Sequence, residues 1–440
     1  MLFRMNVLAA ELNNTLDGTI VSRLLSDFGK RIYFPKGIVA QASEADREAH
    51  RFNATVGIAA SHGQPVMLPS LQMLLTELTP KEAVAYAPTA GVPALRELWK
   101  KEMIEKNPSL AGARFSLPAV TPGITNGIFQ AATLFVNPGD AVILPDMCWD
   151  NYQLIFEEQR GAHIVNFPFF APDSPATLNI DGLRKVMMAH RDAGRVTLML
   201  NFPNNPTGYS PSFREMTALV EAITDVADGG TDVLVICDDA YFGLYYEQET
   251  CAESVFARIA SCHDRVMALK VDGATKEEFV WGFRIGFITV ASRGLSDSHY
   301  AAVEKKLMGA IRSTVSSSSG LAQNLLVHVM RSATYHEEKQ AEFSMLIERY
   351  RKVREIVTSY AADSDRTLEP LPFNSGYFMS FRCDRVDSEE LRIALLAGGI
   401  GVISMQGNYL RVAFSGIDEE NIPALFDEIF SAARAAKKVA

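Results

Sequence analysis

Val196-Thr-Leu-Met-Leu-Asn-Phe-Pro-Asn-Asn-Pro-Thr-Gly208 joins a short apolar run to a loop made of turn residues. The run Val196–Leu200 is bounded too closely for a helix and reads as a strand buried on both faces. The Asn, Pro and Gly residues that follow mark where that strand ends. Four more runs have the same character: Ala141–Leu144, Val233–Cys237, Arg265–Leu269 and Ile285–Val290. Helical patterns separate them, among them Ile180–His190 and Phe213–Ala227. This alternation predicts an α/β fold with a mostly parallel sheet covered by helices. In such sheets ligands sit beyond the carboxyl ends of the strands. The residues just after each run are therefore where chemistry is expected.

After Gly320 the pattern changes. Thr334–Ala361 reads as one long helix with Phe343, Leu346, Ile347, Tyr350, Val353 and Ile356 on a face. A strand at Gly376–Arg382, a helix at Ser388–Ala397, a strand at Tyr409–Phe414 and a terminal helix follow. The expected organisation is an N-terminal segment (1–75), a large domain (76–319) and a smaller α+β domain (320–440) on which the N-terminal segment packs.

The bulk numbers narrow the function. The 440 residues are 48% apolar and 21% charged, an ordinary globular balance. Lys and Arg total 42 against 52 Asp and Glu, a net charge of −10 with no basic patch, so no nucleic-acid partner is expected. Five cysteines without a CxxC pair read as free thiols of a reducing, cytoplasmic setting, with no metal site. The start, MLFRMNVLAAELNN, meets Glu11 too early for a signal peptide. No apolar run approaches the roughly 18 residues of a membrane span.

Three short pieces carry candidate chemistry. Asn205, in the loop after Val196–Leu200, could turn its amide to a ligand or simply cap the turn before the next helix. Asp238, in Asp238-Asp-Ala-Tyr241 after Val233–Cys237, would be poorly solvated and needs a cationic partner. A protonated ring nitrogen would serve, and so would a nearby Lys or Arg. Lys276, in Gly273-Ala-Thr-Lys276, has small residues before it and Val280 and Trp281 after it. A lysine in an apolar or cationic setting has a lowered pKa and acts as a nucleophile; a solvated surface lysine is the plainer alternative.

Taken in order, Asn-Pro-Thr-Gly208, Asp238-x-Ala-Tyr241 and Thr275-Lys276 with Arg284 eight residues on resemble the class I aminotransferases, which depend on pyridoxal 5′-phosphate (PLP), in particular the aspartate and aromatic aminotransferases. Further stretches extend the resemblance. Tyr86-Ala-Pro-Thr-Ala-Gly-Val-Pro-Ala-Leu-Arg96 looks like the segment that lends a tyrosine to the neighbouring subunit. Thr121-Pro-Gly-Ile-Thr-Asn-Gly127 looks like the phosphate loop, Trp149-Asp-Asn-Tyr152 like the ring-stacking stretch, and Leu410-Arg-Val-Ala-Phe414 like the strand whose arginine grips the substrate α-carboxylate.

The resemblance implies that Lys276 holds PLP as a Schiff base, that Asp238 pairs with the pyridine nitrogen, and that Tyr241 and Asn205 bond the phenolic oxygen. It places Trp149 on the ring. Gly123, Ile124, Thr125, Thr275, Arg284 and the neighbour's Tyr86 would hold the phosphate, and Arg411 the α-carboxylate. Arg312, in Ala310-Ile-Arg-Ser-Thr-Val-Ser316, resembles the arginine that crosses to the partner's site for a distal carboxylate; otherwise it only closes its helix, Ser298–Ile311. Gly57 is either the gating glycine or a turn glycine. The implied activity moves an amino group from an L-amino acid, aspartate or glutamate above all and aromatic donors besides, to a 2-oxo acid, in a homodimer with shared sites. A lyase or synthase of the same fold, such as a C–S β-lyase, is the alternative. A regulator would need a basic DNA-binding module, which the first 80 residues do not offer.

Three positions depart from the pattern. Gly273 stands where the family often has a serine, with the Ser316–Ser319 run as a replacement donor. Thr275 stands for a serine. Tyr152 stands where dicarboxylate-specific members carry histidine behind the aspartate, so that a phenol would support Asp238.

Overall fold

A computed structural model describes residues 5–17, 19, 22, 25, 27–32, 37–364 and 366–436; the first four residues of the N-terminal patch lie outside them. Seven strands form the main sheet: β1 Ala119–Pro122, β2 Ala141–Pro145, β3 His163–Phe167, β4 Arg195–Asn201, β5 Asp232–Asp238, β6 Val266–Asp272 and β7 Ile285–Ala291. Their order is β1-β7-β6-β5-β4-β2-β3. Pairs β3·β2, β2·β4, β4·β5 and β5·β6 are parallel, while β7 runs antiparallel to both neighbours. Between β6 and β7 lie only a four-residue helix, Ala274–Glu277, and a short turn, Trp281–Phe283. No long crossover helix is available there, so the chain returns antiparallel.

All five apolar runs are strands, each within three residues of its expected ends. β1 and β3 were not legible. β1 is four residues ending in proline, and β3 is an edge strand with half-buried His163 and exposed Asn166 among its apolar residues. The covering helices follow their patterns. Phe213–Asp228 starts with a reciprocal cap between Ser212 and Glu215 and buries Met216, Leu219, Ile223 and Val226 along one face.

A second sheet contains β8 Glu369–Pro370, β9 Phe378–Arg382, β10 Ile403–Met405 and β11 Tyr409–Ala413, in the order β8-β9-β11-β10, all antiparallel. It has its own core, with Met379, Phe381, Leu410, Val412, Phe426 and Ile429. The helix Tyr335–Ala361 serves both cores: Tyr335 and Leu346 belong to the first, Tyr350, Val353 and Val357 to the second.

The helix Ile38–Glu48 lies against the second sheet. Gln41 exchanges two hydrogen bonds with the backbone of Ser404, at 2.9 and 2.8 Å, and Glu44 pairs with Arg392 at 2.7 Å. Phe52–Asn53 then pairs in parallel with Ile400–Gly401. Among the described residues no helix is long and apolar enough to cross a membrane.

Candidate active site

The carboxyl ends of β4, β5 and β6 open onto one cavity of about 440 Å³, closed on its far side by residues of the second sheet and of the helix Ile38–Glu48. Asn205, Asp238, Tyr241 and Lys276 all line it.

Asp238 ends β5 and is 3% exposed. Its Oδ2 accepts from the Tyr152 hydroxyl at 2.6 Å and its Oδ1 from the Ala240 N–H at 3.0 Å. Burial raises its pKa to about 6, against the opposing pull of Tyr152 and Lys276. Asp238 forms no ion pair among the described residues; the buried salt bridge falls on its neighbour. Asp239 accepts from Lys270 at 2.5 Å and from Ser254 at 2.5 Å, and Lys270 also pairs with Asp272 at 3.1 Å. One acid is spent inside the protein and the other is left facing the cavity.

Lys276 sits half-buried in the four-residue helix after β6, its Nζ 4.9 Å from the centre of the Tyr241 ring. Burial, with help from Arg284, lowers its pKa to about 8, while Asp238 opposes the shift. Charges that sequence reading missed hold this turn. Lys106 pairs with Glu277 at 2.8 Å, and Lys339 pairs with Glu277 at 3.1 Å and with Glu278 at 2.8 Å. Tyr377 donates to the Lys276 carbonyl at 2.9 Å.

At one end of the cavity the helix Ile124–Phe135 presents its N-terminus. Gly123 precedes it with φ +87°, and a Cβ there would lie 2.7 Å from Arg284 Nη2. Glycine therefore meets both a backbone and a space requirement. Arg284 itself has φ +53°, a strained conformation for a branchless but bulky residue, and this brings its guanidinium over the helix start. Ile124, Thr125 and Thr275 line the same end, and Thr275 Oγ1 is buried without a partner. A Cβ at Gly273 would lie 2.5 Å from the Ile285 carbonyl, so no serine fits there. The Ser316–Ser319 run does not line the cavity; Ser319 instead caps the helix Gly320–Arg331.

At the other end Arg411, on β11, is 2% exposed. Its Nη1 donates to Asn205 Oδ1 at 2.8 Å, its Nη2 to the Thr55 carbonyl at 2.9 Å, and its Nε has no partner. The guanidinium lies 4.3 Å from the Phe378 ring centre. Burial lowers its pKa to about 10. Arg411 forms no ion pair among the described residues, so a buried cation awaits an anion. Gly57 lines the wall beside it, where a Cβ would lie 2.9 Å from Phe378 and 3.2 Å from the Tyr241 hydroxyl. Trp149 lines the cavity edge-on to Tyr152.

Two residues lie apart. Tyr86 is 99% exposed, and Arg312 is exposed in the last turn of the helix Asp297–Thr314, hydrogen-bonded to Ser316; neither lines the cavity. Several lining residues escaped sequence reading: Thr55, Asn201, Trp281, Phe378, and Ile38, Ala42, Ser43 and Asp46 of one helix. Ile38, Ala42 and Asp46 recur every four residues on one face, a spacing that could have been read had the helix been placed.

These groups fit PLP. The helix N-terminus, the unpartnered Thr275 hydroxyl and Arg284 suit a phosphate. Asp238, buried and without a salt bridge among the described residues, suits a protonated ring nitrogen. Lys276, with its pKa lowered to about 8, suits attachment to a carbonyl carbon. Fold and cavity together define a PLP-dependent enzyme of the aminotransferase type.

The comparisons with known proteins agree. The family model for class I and II aminotransferases matches residues 68–429, and the chain belongs to that family. The aspartate/prephenate aminotransferase of Thermus thermophilus is 25% identical over 327 residues, 72% of this chain and 74% of that protein. The methionine aminotransferase of Escherichia coli is 26% identical over 312 residues, 70% and 71% of the two chains. An aminotransferase structure from Anaerococcus prevotii superposes with a TM-score of 0.81 at 23% identity, over 94% of this chain and all of that one. The T. thermophilus aspartate aminotransferase with maleate gives 0.73 at 20% identity, over 93% and 99%. The protein is a PLP-dependent aminotransferase.

Proposed function

We propose that this aminotransferase exchanges amino groups between L-α-amino acids and 2-oxo acids in the cytoplasm, as a homodimer, with aspartate or glutamate and 2-oxoglutarate serving one half of the exchange. The observation that carries the reading is Arg411: a buried guanidinium with no salt bridge among the described residues, in the same cavity as a lysine whose pKa is lowered to about 8. Arg411 binds the substrate α-carboxylate in bidentate fashion while Asn205 and the Thr55 carbonyl fix its plane. That grip orients the Cα–H bond toward Lys276, whose Nζ takes the proton and returns it. Bound PLP supplies the sink for the electrons of that bond. Asp238 keeps the proton on the ring nitrogen, Tyr152 and Ala240 keep Asp238 in place, and Trp149 covers the ring. Gly123, Ile124, Thr125, Thr275 and Arg284 hold the phosphate.

The distal carboxylate is assigned to Arg312 of the adjoining subunit. Support comes from relatives named aspartate aminotransferases and from the exposed position of Arg312 outside its own cavity. Arg312→Leu is expected to lower kcat/KM for aspartate roughly 100-fold, as for a lost charge pair of ~3 kcal/mol, and to affect a methionine or phenylalanine donor far less. Single-turnover loss of the holoenzyme colour with each donor measures this. Equal losses for all donors would refute the assignment.

The homodimer rests on an exposed apolar surface around the same segments. Val84 is 84% exposed, Tyr86 99% and Met73 65%, with Leu75 and Leu321 also exposed. If Tyr86 completes the adjoining phosphate site, Lys276→Ala and Tyr86→Ala subunits should complement each other. Random exchange then restores about a quarter of the sites, and purified heterodimers about half, by symmetric pairing. Heterodimers without recovered turnover would place Tyr86 outside the shared site.

A further inference from the structure

We propose that Asp46 selects an amino donor whose side chain ends in a cation, an ammonium or guanidinium group, for the other half of the exchange; this rests on the aminotransferase reading above. Five charged residues line the cavity among the described residues: Asp46, Asp238, Lys276, Arg284 and Arg411. Four are matched to the ring nitrogen, the carbonyl carbon, the phosphate and the α-carboxylate. Asp46 is the fifth, and neither the cofactor nor the backbone of an amino acid uses it. Asp150 does not line the cavity; it lies against Gly37 at the start of the helix.

Asp46 is exposed where the cavity meets solvent, but its position is fixed by its neighbours. It follows Ile38 and Ala42 at four-residue spacing on the cavity-facing side of Ile38–Glu48, a helix fastened to the second sheet through Gln41 and Glu44. A chain of hydrogen bonds then ties it to the α-carboxylate anchor. Asn53 Nδ2 donates to Asp46 Oδ1 at 2.8 Å, and Asn53 Oδ1 accepts from the Thr55 N–H at 3.2 Å and the Thr55 hydroxyl at 2.5 Å. The Thr55 carbonyl in turn accepts from Arg411 at 2.9 Å. Asp46 is thus held in fixed relation to Arg411, and it forms no ion pair among the described residues. An amino acid gripped at its α-carboxylate by Arg411 extends its side chain along a wall of apolar Ile38 and Ala42 that ends in one carboxylate. Apolar wall and terminal anion match the methylene stem and charged head of lysine, ornithine or arginine.

A distal carboxylate would be repelled at this spot and must turn to another cation, the role assigned to Arg312. One cavity then serves the two halves of the exchange with two opposite charges. The transfer itself is balanced: the donor's α-amino group passes to the 2-oxo acid and the donor leaves as its own 2-oxo acid. With lysine or ornithine that product carries an amine, which closes on the new carbonyl with loss of water to give a cyclic imine.

The test compares L-lysine and L-ornithine with L-norleucine and L-norvaline, which share the stem and lack the charge, in the holoenzyme and in Asp46→Asn. The amide oxygen of the variant still accepts from Asn53, so position is kept and charge removed. The wild type should favour the charged donor of each pair by about tenfold or more in kcat/KM, chiefly through KM. In Asp46→Asn that ratio should collapse toward one, while glutamate improves. Calorimetric titration of PLP-loaded Lys276→Ala protein, with and without Asp46→Asn, should show the same ratio in Kd without turnover. No preference for lysine over norleucine in the wild type, or an equal loss for both in Asp46→Asn, overturns the proposal. If alanine and glutamate also fail to discharge the holoenzyme colour, the aminotransferase reading falls with it.

Discussion

Lys276→Ala is expected to remove turnover while leaving PLP bound, with kcat lower by roughly 10⁴-fold or more, since a positioned general base alone is worth about 10²–10⁴ and this residue is proposed to carry the cofactor as well. The geometry explains why no neighbour replaces it. Lys270 is locked between Asp239 and Asp272, and Lys106 and Lys339 are held by Glu277 and Glu278. Among the described lysines only Lys276 lines the cavity, and its pKa, lowered to about 8, leaves it neutral in an appreciable fraction near pH 7–8. The residues proposed to hold the phosphate do not include it, so the variant should still bind PLP. Borohydride reduction followed by peptide mapping is the measurement. The wild type should yield one modified peptide, containing Lys276, and the variant none. Label on another lysine would move the assignment.

Asp238→Asn is expected to cost about 100- to 1000-fold in kcat, comparable to removing one preorganised electrostatic contact of ~3–4 kcal/mol. Asparagine matches aspartate in size, and the Ala240 N–H still finds an oxygen. What disappears is the negative charge that keeps a proton on the cofactor ring, in a place too buried for water to compensate. Asp239 cannot take over: Lys270 and Ser254 occupy it. Stopped-flow half-reactions with a fixed donor measure the loss, and an altered absorption of the resting holoenzyme would show that the ring proton has gone. Near-normal rates would mean that the ring nitrogen has another partner.

Much of this site was legible because strand ends in an α/β sheet announce themselves. Asn205, Asp238 and Lys276 each follow a compact apolar run, and the runs became β4, β5 and β6. The resemblance chose Asp238 over Asp239, but the residues by themselves do not show which of two adjacent acids faces the ligand. Successive side chains at a strand end point to opposite faces, and the deciding partner, Lys270, comes from the neighbouring strand. The cluster of Lys106, Lys339, Glu277 and Glu278 was hidden for a similar reason, since three distant segments meet there. Thr55 was hidden more deeply: it works through a carbonyl oxygen, which every residue has. Asp46 lay in a stretch with no anticipated helix, so its face could not be read.

Tyr152 has a consequence for how the enzyme meets a changing environment. Its hydroxyl donates to Asp238 and, through burial beside that carboxylate, holds its proton well beyond the ordinary range of a phenol. An imidazole in that place would exist in two protonation states across neutral pH and would pass each change on to the carboxylate. The phenol has one state throughout. Acidification would therefore reach that contact through Asp238 itself and not through its supporting residue, so the acid side of the rate profile should carry the titrations of Lys276 and Asp238 and no inflection from Tyr152.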